Sequence, residues 1–216
     1  KVGVALVDVI AGLNATVGIL IALRERQISG KGQKVESNLM SSALAGLENQ
    51  AAAWLNTGDL PVRLGNVHPS IEPFTTFDAA DGPVMICVGN DHQFRSLCEV
   101  LGEPELADDP RYVDNFDRVE HRVSLEAELN LLFAHRKVDE WVAALHEVGV
   151  PAGPVNTIDR GFAVAEELGL DPIDEIDGIR SPASPIHLSR TPAETRLPPP
   201  EENAHSEEIR AWLRGD

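Results

Sequence analysis

The sequence predicts a mixed α/β chain, and three observations predict it. From Val2 to Leu23 runs an apolar stretch whose only polar side chains are Asp8, Asn14 and Thr16. Positions 73–79 and 83–88 read as two strands joined by Ala80-Asp81-Gly82, an Asp-Gly turn. Apolar residues then recur at helical spacing over 91–101, 115–135 and 138–148.

Taken in order, the first helix is expected over 9–26, starting near Asp8. It is apolar on nearly every side, which implies an enclosed place in a larger fold. Gly30-Lys31-Gly32 lacks the GxxxxGK[ST] spacing of a phosphate loop and reads as a left-handed helix end and turn, followed by a strand from Lys34 to Leu39. A helix from Ser41 to Asn56 puts Leu44, Leu47, Ala51, Trp54 and Leu55 on one face and ends at Thr57-Gly58. Asp91 is expected to cap a helix bearing Phe94, Leu97, Cys98 and Leu101, closed by Gly102. Two further helices carry Phe116, Val119, Val123, Leu129, Leu132 and Phe133, then Val138, Trp141, Val142 and Leu145. Beyond Pro151, Pro182, Pro185, Pro192 and Pro198–Pro200 mark extended surface connections, before a short helix from His205 to Leu213. Trp54 and Trp141 are expected in the core, and Trp212 at an interface.

With 216 residues, the chain can bury a core in one or two domains. A net charge of −17, from 35 acidic and 18 basic residues, disfavours nucleic acid and anionic membranes as partners. The apolar run is long enough to span a membrane, but Asp8 near its start and Gly3, Gly12 and Gly18 argue against it. No signal-peptide layout is present: one lysine precedes the run and no small-residue cleavage site follows. Cys87 and Cys98 read as reduced core residues of a cytoplasmic protein. The seven histidines form no HExxH motif, and no metal is expected. Acid clusters such as Glu166-Glu167 and Glu201-Glu202 read as solvated faces.

Asp8 is the residue that asks for a reason, because a lone carboxylate among apolar residues is costly to bury. On local chemistry it is either a helix N-cap or a nucleophile, since a carboxylate can attack an activated carbonyl. In the loop Gly65-Asn66-Val67-His68-Pro69, Gly65, Asn66 and His68 could line a cleft or supply donors to an oxyanion. A satisfied turn, with His68 in a structural role, is the competing reading.

The pattern Lys1-Val2-Gly3-Val4-Ala5, Asp8, Gly12, Gly18-Ile19, Ala22-Leu23, Arg26, Gly30-Lys31-Gly32-Gln33 and Val35 resembles the family III CoA-transferases. The likeness continues through Gly65 to Pro69, Pro73-Phe74, Asp81-Gly82, Gly89 to Phe94, Asp109 to Tyr112 and Asn115 to Val119. Gly149 to Asn156 and the tail from Ser189 to Pro200 complete it. The resemblance implies that Asp8 is the catalytic nucleophile, with a coenzyme A thioester as substrate, no other cofactor, and a carboxylic acid as acceptor. Gly65, Asn66 and His68 fall near a loop that covers the active site in relatives, and the block from Gly65 to Phe74 leans toward dicarboxylate transferases.

The same resemblance implies a layout: 1–40 as the end of a large, Rossmann-like CoA-binding domain, 41–62 as a linker helix, 63–152 as a small α/β domain, and 153–216 as the return to the large domain. It implies an interlocked homodimer, or pairing with a complementary N-terminal half, which in relatives carries most of the large domain. Two other readings remain. A 2-methylacyl-CoA racemase shares the family's fold and moves an α-proton by acid–base chemistry. An acidic interaction module without a catalytic half would have no activity.

Overall fold

A computed structural model describes residues 3–215, and these fall into two units, one running to Gly65 and one starting at Asn66. Lys1 and Val2, which open the family-like pattern, and Asp216 lie outside the described residues.

The first unit is helical. Helix α1 spans Leu6–Ser29, beginning before Asp8 and ending later than expected. Gly30 closes it in the left-handed conformation at φ 72°, its amide donating to the Arg26 carbonyl, as the glycine pattern predicts. Where the sequence predicts an enclosed helix, none of its residues is buried within this chain.

No strand forms at Lys34 to Leu39, because no neighbouring strand pairs with it. That stretch runs extended beside α1, with Ser37 Oγ donating to the Ala11 carbonyl at 3.1 Å. The next helix starts earlier than predicted and is broken in two: α2 at Leu39–Gly46 and α3 at Glu48–Thr57, flanking Leu47. Asn38 caps α2 by accepting from the Ser41 amide at 2.8 Å. Glycines permit the close approach of α1 and its neighbours: a Cβ on Gly18 would lie 2.8 Å from Val35 Cγ1, and one on Gly46 3.1 Å from Ile10 Cδ1. Trp54 is not core here but 47% exposed.

The second unit holds the hydrophobic core. Strands β1 (Phe74–Ala79), β2 (Gly82–Cys87) and β3 (Ala152–Pro154) form an antiparallel sheet in that order, with Ala79 opposite Gly82 across the tight turn. Helices α4 (Asp91–Leu101), α5 (Asn115–Glu120), α6 (Arg122–Phe133) and α7 (Val138–Glu147) accompany it. The predicted 115–135 helix is thus two helices, meeting at His121. Phe77, Val84 and Ile86 from the sheet meet Phe94 and Leu97 of α4, Leu125, Leu129 and Phe133 of α6, and Trp141 and Leu145 of α7. Phe77 stacks on Phe133 at 4.9 Å, Trp141 meets Phe133 edge-on at 5.2 Å, and the Trp141 indole donates to the Phe133 carbonyl.

Asp91 is not the cap of α4. Asn90 is, accepting from the Gln93 amide at 2.9 Å, which leaves Asp91 free to take Arg118. Past Pro151 the chain is more ordered than its prolines suggest, with α8 at Ile158–Glu167, a β4–β5 hairpin at Ile173–Ile176 and Ile179–Pro182, and α9 at Ser206–Arg214. Asp177 and Gly178, both at positive φ, make the hairpin turn whose twist matches its strands. Every strand pairing among the described residues is antiparallel.

Candidate active site

Asp8 is the third residue of α1, in its first turn, and its side chain is exposed. It does not cap the helix, because the cap position is Ala5, which makes no side-chain bond. Among the described residues the Asp8 carboxylate has no hydrogen-bond or ion-pair partner, and the backbone amides of Val7 and Asp8 have no acceptor. These are first-turn donors that every helix leaves unsatisfied, and together with the helix dipole they favour negative charge. The first unit therefore presents a bare carboxylate beside bare amide donors.

Gly65 ends the first unit at φ 67°, a left-handed conformation that glycine adopts without strain, while Asn66 and His68 open the second unit. Asn66 Nδ2 lies 3.4 Å from Thr76 Oγ1. His68 is held at several points. Its amide donates to the Phe74 carbonyl at 3.1 Å, its Nδ1 accepts from the Ser70 amide at 3.2 Å, and its carbonyl accepts from Arg122 at 3.2 Å. Its ring packs on Phe74, with centroids 5.2 Å apart. Because Nδ1 accepts, the proton of the neutral ring resides on Nε2, which has no partner among the described residues. The structural and the functional readings of this loop are thus compatible: one nitrogen orders the ring and the other remains a donor.

Behind the loop lies an ion network that sequence reasoning missed. Arg118 is fully buried, donating through Nε to the Glu72 carbonyl at 2.8 Å, through one terminal nitrogen to the Tyr112 carbonyl at 3.0 Å, and through the other to Asp91 at 2.7 Å. It stacks 4.4 Å over the Phe94 ring. Glu72 is 0% exposed and its carboxylate oxygens have no hydrogen-bond partner among the described residues. Burial, with repulsion from Glu126, pushes its pKa up to about 7 against the pull of Arg122 and Arg118. Only a polar residue inside Ile71-Glu72-Pro73-Phe74 signals this in the sequence.

Other nucleophile chemistries fit poorly. Burial pushes the Cys98 thiol up to about 12 and raises Cys87 as well, which suppresses the thiolate form. Among the described residues no His, Cys, Asp and Glu side chains gather as a metal-holding group. Two open grooves hold none of the predicted site residues. One of ≈ 650 Å³ is lined by residues such as Leu44, Trp54 and Leu60, and one of ≈ 530 Å³ by residues such as Phe162, Leu170 and Pro185.

Comparison with known proteins converges on one family. Residues 1–206 match the family model described as CoA-transferase family III. The chain is 36% identical over 219 residues to the succinate–glutarate CoA-transferase of Agrobacterium fabrum, covering 99% of this chain and 54% of that protein. To the acetyl-CoA:oxalate CoA-transferase of Acetobacter aceti it is 35% identical over 187 residues, covering 87% and 48%. The crystal structure of a CAIB/BAIF family protein from Brucella suis superposes with a TM-score of 0.81 at 37% identity, over 99% of this chain and 56% of that one. The chain spans about half the length of the curated relatives it matches. It belongs to CoA-transferase family III.

Proposed function

We propose that the protein carrying this chain transfers coenzyme A between carboxylic acids, with Asp8 as the covalent nucleophile. The observation that carries this reading is the bare Asp8 carboxylate beside the free amides of Val7 and Asp8, in a chain whose curated relatives are CoA-transferases. An ionised carboxylate attacks without a base, so the site needs none for its first step.

Asp8 attacks the thioester carbonyl of the donor acyl-CoA, the C–S bond breaks, and CoA thiolate leaves an acyl-aspartyl anhydride. The thiolate then attacks the aspartyl carbonyl, which forms an aspartyl-CoA thioester and releases the donor acid. The acceptor carboxylate attacks that thioester, forming a second anhydride and freeing the thiolate again. Attack of the thiolate on the acceptor's acyl carbon gives the new acyl-CoA and restores Asp8. Each step passes through a tetrahedral oxyanion, for which the unpaired first-turn amides beside Asp8 are suited. In the second unit, the family likeness makes His68, whose Nε2–H is left to donate, a candidate for binding substrate. In the same reading Gly65 and Asn66 shape the loop that holds substrate. Relatives named for oxalate and glutarate support a dicarboxylate acceptor.

The proposal extends to assembly. Val9, Leu13, Val17, Leu20 and Ile21 of α1 are each more than half exposed here. A complementary large-domain half, or a second interlocked copy, encloses them. Helix Leu6–Ser29 is long and apolar enough to cross a membrane, as is the core helix of many soluble proteins. Membership in an acyl-CoA family favours the core helix and a cytoplasmic enzyme.

The test is CoA exchange by the full-length protein, using a labelled dicarboxylate. Asp8→Ala should abolish exchange while circular dichroism shows an unchanged fold, and retained exchange removes Asp8 as nucleophile. Deuterium uptake at the α-carbon of a 2-methylacyl-CoA, without CoA exchange, would establish the racemase instead.

A further inference from the structure

The backbone of Glu72 is gripped from α5: its amide donates to Asn115 Oδ1 at 3.1 Å and its carbonyl accepts from Arg118 at 2.8 Å. Asn115 Nδ2 donates to the Ser70 carbonyl at 2.9 Å, so the segment Ser70 to Glu72 is fixed against α5. The Glu72 carboxylate is treated differently. It is fully buried without a hydrogen bond, and its closest cation is Arg122 Nε, at 3.9 Å from Oε2. Arg122, the first residue of α6, reaches the other way with a terminal nitrogen to the His68 carbonyl.

We propose that Arg122 is a positioning residue for the His68 loop, and that the charge on Glu72 governs its grip. Ionised Glu72 holds the guanidinium by Coulomb attraction, so the terminal nitrogen stays on the His68 carbonyl and the loop is fixed. Protonated Glu72 withdraws that attraction, leaving Arg122 tied by one hydrogen bond, and the loop loosens. A buried pair of this kind interacts far more strongly than the same charges in water.

The charged and polar groups around the carboxylate come from α4, α5 and α6. Helix α6 contributes Arg122 and Glu126, whose Oε1 is itself buried without a partner; α5 contributes Arg118 and Asn115; Asp91 of α4 reaches the cluster through Arg118. The switch point falls near the raised Glu72 value of about 7, inside the range a cell experiences. For the reaction, the inference rests on the reading that the His68 loop serves the proposed site.

The experiment follows the His68 carbonyl carbon by NMR on the full chain between pH 5.5 and 8.5. It is repeated in His68→Gln, which removes the imidazole from the position being followed. The expected result is an inflection near pH 7 in both, lost in Glu72→Gln and in Arg122→Gln, with melting curves reporting an intact fold. Should Glu72→Gln fail to fold, Glu126→Gln replaces it, and the inflection should move to lower pH because Glu126 raises Glu72. An inflection that survives in Glu72→Gln, that does not move in Glu126→Gln, or that persists in Arg122→Gln overturns the proposal. The site reading is judged separately: unchanged CoA exchange in His68→Gln would remove the loop from catalysis while leaving the coupling of Arg122 to Glu72 standing.

Discussion

Glu72 and Arg118 sit in the same small space with opposite consequences for stability. The Glu72 pKa is raised from 4.5 to about 7, so the folded state binds this proton more tightly than the unfolded state. Its contribution therefore favours folding most below pH 4.5, falls as pH rises to 7, and stays at its minimum above. Glu72→Gln is expected to change stability little near pH 4.5 and to raise it by up to about 3 kcal/mol at pH 8, read from urea denaturation at both values. Arg118→Ala should cost about 3 kcal/mol at pH 4.5, because it strips the donors from two carbonyls and the partner from Asp91, and more at pH 8, where ionised Glu72 also loses its attraction. At this scale the sequence singles out Asp8 and His68 as candidates, the first as a charge in an apolar run and both through family-like motifs. Arg118 is not among them: inside Asn115 to Val119 it looks like a solvated helix residue, and its partner carbonyl is 46 positions away. No local pattern encodes such a contact.

Amphipathic elements were the most readable. Strands β1 and β2 and helices α4, α6 and α7 each show the period that their burial demands, and their inward residues are the core. The strand expected at Lys34 to Leu39 failed because extended conformation needs a partner ladder, and here α1 offers only a carbonyl to Ser37. Helix α8 was hidden by the surrounding glycines and prolines, although Ile158 and Phe162 stand four apart on it. The reassigned cap of α4 gives a direct check. Asn90→Ala should lower stability by about 1 kcal/mol through loss of the Gln93 amide's acceptor. Asp91→Ala should act through Arg118 instead, so in the Arg118→Met background its effect shrinks while that of Asn90→Ala persists.

For the molecule as a whole, the two units differ in what they bury. The second has a closed core around Phe133 and Trp141, whereas the first leaves α1 without a single buried residue. On the proposed layout, with residues 1–40 belonging to a large domain, the elements that enclose α1 come from outside this chain, which spans about half the length of the curated relatives it matches. The 216-residue chain alone should self-associate in size-exclusion chromatography with light scattering, and should show no CoA binding at micromolar concentration by calorimetry. A monomer that binds CoA would place the enclosing surface within the chain itself. The acidic balance of −17 fits the same account, because a polyanionic ligand needs basic residues from elsewhere.

The central claim is that an acyl group or CoA becomes covalently attached to Asp8, and trapping that species tests it most directly. The full-length protein is incubated with an acyl-CoA, quenched with hydroxylamine, digested, and the peptide containing Asp8 is weighed by mass spectrometry. The account predicts a hydroxamate at Asp8 that forms only with acyl-CoA present and is absent from Asp8→Ala. Catalytically competent enzyme that exchanges CoA while Asp8 stays unmodified, or while another residue carries the hydroxamate, would contradict it.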